Sequence, residues 1–342
     1  MKNIAGFIGF VIIFHTLIVC PRAWGQYGGP VLSQYPIKDQ FPYTFSITSA
    51  AGFLYGYGEE IVYKYSGKET YLSQLLWNIK PLFYAGGGLD FSRLNPMEKP
   101  GFFTALSLKF GFPGTTGIME DRDWNAPEDI LSNYSRSDNY TDGALLFDYF
   151  LGLTLPLKSF ALLKIQWGFS WMSFHWTGRD GYLRYPKDKW GNYLYDVPLD
   201  DSAAKVPVSG PSISYSQDWL LTYPGLSMLI FLPWRLKLDI AFQISPLVFC
   251  FARDNHLLSA QEYTDYVSGG LYLEPRGSII FSPTERFDLS LYVSYRFIKG
   301  AHGDSYTRAT GSDKDEEYYQ LAQDSGAAWY ALDSGLSLKI RF

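Results

Sequence analysis

A chain of 342 residues with 27 Tyr, 25 Phe and 10 Trp is unusually aromatic, yet it carries a net charge of −5 and a pI near 5.4. That acidic balance excludes the basic footprint of a nucleic-acid partner. A mean hydropathy of −0.09, with no apolar run of spanning length after Val19, excludes a helical membrane protein.

The chain opens on Lys2, an apolar run from Ile4 to Val19, and then Pro21-Arg22-Ala23-Trp24-Gly25. A basic start, a short apolar core and a small-x-small ending describe a secretory signal peptide cleaved after Gly25. Residues 1–25 are therefore set apart, and 26–342 are expected to form a single transmembrane β-barrel domain. Leu17-Ile18-Val19-Cys20 resembles a lipidation box, but the bulky Val19 argues against lipidation of Cys20. With Cys20 in the signal, Cys250 stands alone, which excludes an internal disulfide. It reads as a wall residue in an apolar strand.

Alternation with period two then recurs along the chain. Phe102, Leu106, Leu108 and Phe110 alternate with Ala105, Ser107 and Lys109, and Leu236, Leu238, Ile240, Phe242 and Ile244 with Lys237, Asp239 and Gln243. Leu289, Leu291, Val293 and Tyr295 alternate with Ser290, Tyr292, Ser294 and Arg296. Ten strands are predicted, over 42–64, 69–91, 100–123, 140–157, 161–183, 209–231, 235–256, 266–282, 287–308 and 325–342. An even number is what bacterial outer-membrane barrels have. The segments are long, Tyr or Trp sits near their ends as an interfacial girdle would, and the chain stops on Phe342 at a strand end. First and last strands can then pair, leaving no open edge for lipid to meet. The expected fold is an all-β, ten-stranded antiparallel transmembrane β-barrel of the outer membrane. Arg93–Lys99, Pro156–Ser159, Pro233-Trp234 and Ser282–Arg286 read as periplasmic turns. Asn125–Tyr140, Pro186–Pro207, Ser259–Asp265 and Gly311–Gln323 read as extracellular loops.

Strand phase places the chemistry-bearing residues. Phe45, Ile47, Phe53 and Tyr55 facing lipid would send Glu60 into the lumen. In the third strand even positions face lipid, so Asp121 and Asp123 point inward. In the seventh, unbroken alternation from Leu236 would push Asp254 and His256 outward. An irregularity is therefore expected between Ile244 and Arg253, and Pro246 is the natural place for it.

Asp121 and Asp123, two apart on one strand face, resist joint ionisation. Asp254 and His256 repeat that spacing with an orienting acid and a group whose ordinary pKa lies near neutrality. No G-x-S-x-G or cysteine motif accompanies them, so water is the simplest nucleophile, with one proton shared by the opposite acids. Two other readings stay open at this point. Spaced acids beside Arg122 and Arg253 are also what a solvated, ion-paired rim looks like, and an oxygen-rich cluster can hold a divalent cation. His175, among Trp171, Phe174 and Trp176, reads as an aromatic-belt residue, and His302 as exposed loop. Asp313–Glu317 reads as a solvated charge run, and the sequons at Asn133 and Asn139 carry no weight in a bacterial outer membrane.

Three segments resemble the omptin family, ten-stranded outer-membrane endoproteases: Met119-Glu120-Asp121-Arg122-Asp123-Trp124, Asp254-Asn255-His256, and Glu59-Glu60-Ile61-Val62-Tyr63. The resemblance implies an aspartic-type endopeptidase in which Asp121 and Asp123 form one catalytic pair and Asp254 and His256 the other, holding water between them. It implies that Glu60 and Met119 line the pocket for the residue before the cut, with cleavage near basic residues. It implies peptide or protein substrates at the cell surface, outer-membrane lipids as surroundings, an active site facing the exterior, and no cofactor or metal beyond the catalytic water. The chain departs from the family at Ala252, where enteric members carry a second pocket acid. The positions of the family's lipopolysaccharide-binding residues fall on Phe169, Trp171 and Ser173, which argues against dependence on that lipid. The competing function is a non-catalytic barrel, an adhesin or narrow channel, although ten strands leave a lumen largely filled by side chains.

Overall fold

The computed structural model describes residues 43–64, 70–93, 99–158, 160–310 and 317–342. The expected signal peptide, Cys20, and residues 313–316 of the charge run lie outside the described residues. Thirteen strand segments follow one another: β1 (Tyr43–Tyr63), β2 (Tyr71–Arg93), β3 (Gly101–Gly111), β4 (Gly114–Asp123), β5 (Asn133–Lys158), β6 (Ala161–Arg184), β7 (Val206–Phe231), β8 (Leu236–Ser245), β9 (Val248–His256), β10 (Gln261–Ser268), β11 (Leu271–Phe281), β12 (Phe287–Ala309) and β13 (Tyr319–Arg341). Three adjoining pairs are halves of one interrupted strand. β3 and β4 part at Phe112-Pro113, β8 and β9 at Pro246-Leu247, and β10 and β11 at Gly269-Gly270. Ten antiparallel strands remain, and β1 pairs with β13 from Ser46 against Arg341 to Val62 against Ser325. The sheet is closed.

Its sidedness is that of a membrane barrel. Phe83, Leu153 and Leu291 are 59, 52 and 55% exposed on the outside, while Ser46, Gln243 and Asp333 are buried inside. A soluble sandwich would reverse this order. At membrane level the lumen is filled by ion pairs. Arg296 lies between Asp148 at 2.9 Å and Glu274 at 3.0 Å, Lys237 pairs with Asp288 at 3.2 Å, and Lys339 with Asp90 at 2.8 Å. Buried charges persist because each has its counter-charge within reach.

The apolar band covers only part of each strand. β5 and β7 have 26 residues each, about 85 Å of extended chain, far more than the ~30 Å hydrocarbon core requires even when tilted. Large exposed apolar side chains run from Tyr149 to Leu157 on β5 and from Leu220 to Met228 on β7, and none occurs over 133–148 or 206–219. The barrel thus projects beyond the band at the end opposite Tyr43 and Phe342. There both wall faces can meet polar surroundings and the alternation signal fades. For this reason β5, β7, β10 and β13 start at Asn133, Val206, Gln261 and Tyr319, earlier than the predicted 140, 209, 266 and 325. An aromatic layer of Trp77, Phe174, Trp176, Tyr215, Trp219 and Trp329 is buried across the lumen, with Trp77 stacked on Tyr215 at 5.3 Å and Phe174 against Trp329 at 4.0 Å.

The strand breaks set side-chain direction. Phe242, Ile244, Leu247 and Phe249 are all exposed, so the outward phase moves from even to odd across Pro246-Leu247. That is the expected irregularity, and it turns Asp254 inward. Cys250, the expected wall residue of an apolar strand, lies on β9 and is buried. The third strand reaches the predicted outcome by another route. Lys109 points inward on β3, the break at Pro113 makes Thr116 the inward residue, and a register shift at Gly117 (φ +120°) returns the phase to Met119 and Asp121. Two slips cancel, so the uninterrupted count over 100–123 ends with the correct face.

Candidate active site

Above the aromatic layer the projecting strands enclose an open cleft of about 770 Å³, lined among others by Glu60, Met119, Asp121, Asp123, Asp254 and His256. Every predicted site residue therefore opens into one cavity. They arrive from separate elements: Glu60 from β1, Met119 to Asp123 from the end of β4, and Asp254 with His256 from the end of β9.

On β4, Asp121 pairs in register with Ser135 and Asp123 with Asn133, both on β5, while Ser73 of β2 lies across from Asp123. The Ser135 hydroxyl donates to Asp121 Oδ2 at 3.2 Å, and Ser73 and Asn133 hydrogen-bond Asp123. The intervening residues face away. Arg122 reaches Glu120 at 3.0 Å, and the Tyr134 hydroxyl donates to Glu120 at 2.7 Å. The arginine that a rim reading would assign to the two aspartates belongs to another carboxylate on the opposite face. Arg253 likewise turns outward over the Phe251 ring, 5.6 Å from its centroid.

On β9, His256 Nε2 and Asp254 Oδ2 are 2.6 Å apart, and Asp254 Oδ1 is buried without a partner. Tyr263 packs edge-on to the imidazole at 5.3 Å. Burial disfavours the imidazolium, but Asp254 beside it, then Asp121 and Asp123, outweigh burial and push the His256 pKa up to about 9. On the facing side, burial and then the Asp123 charge hold Asp121 well above the ordinary carboxylate range, with His256 pulling it down. Burial likewise raises Asp123, opposed by its Ser73 hydrogen bond and by His256. The two pairs feel each other's charge across the cleft. Glu60 is raised well above its usual value by burial and by Asp254, Asp265 and Asp121, and its Oε2 is buried without a partner. Met119 is buried and lines the same cleft.

Several cleft residues were missed by sequence reasoning. Asp265 lies on β10, in register with Ala252, not in the predicted loop Ser259–Asp265. Inward phase from Val267 through Asp265 to Tyr263, had the turn after His256 been placed correctly, would have found it. Tyr185, Tyr193 and Tyr195 line the cleft from the 185–205 connection, mutually packed at 5.6 to 6.4 Å. That connection carried no periodic signal. His302 is a strand residue stacked on Tyr63 at 4.5 Å, not exposed loop. His175 lies outside the cleft, on the outer face, with Nε2 3.2 Å from the Ser173 hydroxyl. Asn133 and Asn139, the sequon residues, are buried in β5.

Among solved structures, the crystal structure of outer membrane protease OmpT from Escherichia coli superposes with a TM-score of 0.72 at 18% identity, covering 88% of this chain and 97% of that one. The translocator domain of the autotransporter NalP from Neisseria meningitidis is far more distant, with a TM-score of 0.28 at 9% identity over 89% of this chain and 90% of that one. No curated protein sequence matches. A model of the Omptin family matches residues 41–342. A match over nearly the whole chain, on a ten-stranded barrel of the same fold as OmpT, means that the chain belongs to the omptin family.

Proposed function

We propose that the protein is an endopeptidase of the bacterial outer membrane that hydrolyses peptide bonds with a water held between Asp121/Asp123 and Asp254/His256. The carrying observation is the convergence of these four side chains, from β4 and β9, on one cleft of an omptin-family barrel. The cleft opens at the end that projects past the apolar band, away from the short turns, which is the end we assign to the exterior.

The cluster formed by Asp121, Asp123 and His256 works with one proton. At rest it sits on His256, stabilised by Asp254 and the facing acids. Shifted to the Asp pair, it leaves a neutral imidazole facing a half-protonated dyad. His256 then accepts a proton as the water oxygen bonds to the scissile carbonyl carbon, and the dyad gives its proton to the carbonyl oxygen. Collapse of the tetrahedral intermediate breaks the C–N bond. His256 passes its proton to the departing amine and the dyad recovers the other. Asp254 orients the ring throughout. Glu60 and Met119 line the pocket for the residue preceding the cut, and the acidic cleft favours a basic side chain there. A narrow channel is disfavoured by the ion pairs that fill the lumen below.

The test is turnover of Arg- and Lys-containing fluorogenic peptides by the refolded barrel and by its His256→Ala variant. Loss of about 10² to 10⁴ in kcat is expected for the variant. Equal turnover by both, or none by either, would reject the assignment in favour of a non-catalytic adhesin.

A further inference from the structure

We propose that Asp265 and Glu60 together form a two-acid pocket that seats one cationic side chain of the substrate, and that Asp265 sets the preference for it. The inference deepens the peptidase reading and rests on it. Asp265 and Glu60 are 4 and 3% exposed, and each keeps a buried carboxylate oxygen, Asp265 Oδ1 and Glu60 Oε2, without a hydrogen-bond partner. Both open into the cleft. Ser305 and Ser325 hydrogen-bond Asp265 and so hold the carboxylate in place. The strands between the two acids present small side chains at this level: Ser305 on β12, and Ser325 and Ala327 on β13. Ala252, in register with Asp265, adds no bulk. Both acids thus line one cleft, each with one carboxylate oxygen still free to accept a hydrogen bond.

The charge balance says what that side chain is. Among the described residues, five carboxylates line the cleft (Glu60, Asp121, Asp123, Asp254 and Asp265) and no Lys or Arg does. His256 is committed to Asp254 at 2.6 Å. Nearby cations are engaged on the outer face, Arg122 with Glu120 and Arg308 with Glu262. Buried acids of like charge repel and raise one another's pKa, Asp265 to about 7 with burial as the largest cause. A guanidinium or ammonium group entering between Glu60 and Asp265 relieves that repulsion and satisfies both free oxygens. A neutral side chain does neither.

The experiment compares two fluorogenic peptides identical except for arginine or its neutral isostere citrulline before the scissile bond, using refolded full-length barrel checked for folding by heat-modifiable gel mobility. The ratio of kcat/KM for arginine over citrulline is expected to fall about ten- to hundredfold in Asp265→Asn, mainly through KM. Asp265→Asn combined with Ala252→Asp, which moves the acid across one strand to a Cβ roughly 5 Å away, should recover most of it. Ala252→Asp alone, with Asp265 intact, should raise the ratio several-fold and gives an answer even if Asp265→Asn does not fold. An unchanged ratio in Asp265→Asn, or in Ala252→Asp, overturns the proposal. Equal turnover of both peptides by the wild type overturns the pocket while leaving the peptidase reading intact. A folded wild type that cuts neither peptide overturns both.

Discussion

Replacing Asp254 by Asn removes a charge 2.6 Å from His256 Nε2 while keeping a group that can hydrogen-bond and orient the ring. The rise of His256 from 6.5 to about 9 corresponds to about 3.4 kcal/mol, at about 1.36 kcal/mol per pH unit. The imidazole is 38% exposed, so solvent screening reduces this to roughly half. Asp254 is the foremost of the three carboxylates responsible, and its loss should lower the His256 pKa by about one pH unit. Because the reactive cluster needs its single proton, kcat/KM should be bell-shaped, with the alkaline limb near pH 9 in the wild type. In Asp254→Asn that limb should move toward about pH 8, since removing negative charge favours loss of the proton. The assay is kcat/KM for one Arg-containing peptide from pH 5 to 10.5, paired with a histidine NMR titration of the same variant. A limb and titration that stay within about 0.3 pH unit of the wild type would refute the reasoning.

Three further outcomes follow from the geometry. The raised His256 pKa also contributes to stability: the contribution is complete below pH 6.5 and is lost as pH rises through about 9, so unfolding in urea should become easier over that window in the wild type and not in His256→Ala. Arg296→Met leaves Asp148 and Glu274 buried without their shared cation and should destabilise the barrel by about 3 to 5 kcal/mol, read as a lower urea midpoint, whereas Arg122→Ala on the outer face should leave turnover within about threefold. Deleting Leu247 removes the one-residue slip after Ile244. Either Asp254 and His256 turn outward or Phe242 and Ile244 turn inward, so no folded and active barrel should be recovered.

The recognition segments were legible because each is local. Glu60, Asp121, Asp123, Asp254 and His256 sit on strands whose alternation shows which way they point. One proline and the parity of the flanking strand suffice to turn Asp254 inward. Asp121 came out inward as well, but through two slips that parity counting could not see, one at Pro113 and one at Gly117. Asp265 is not legible in the same way, because alternation marks the eighth strand only from 266 whereas pairing begins at Gln261. Beyond the membrane band the wall is polar on both faces and offers little alternation to mark where pairing resumes.

The amino-acid sequence by itself determined a closed, aromatic-rich barrel. Period-two patterning and the lack of any spanning helix are properties of short windows, and lipid leaves an exposed strand no option but closure. Only the tertiary structure decided which residues share the cleft. Asp265 opposite Ala252, the ion pairs inside the wall and the outward turn of Arg122 depend on register between strands, and register is set by bulges and turns whose effect is felt many residues away.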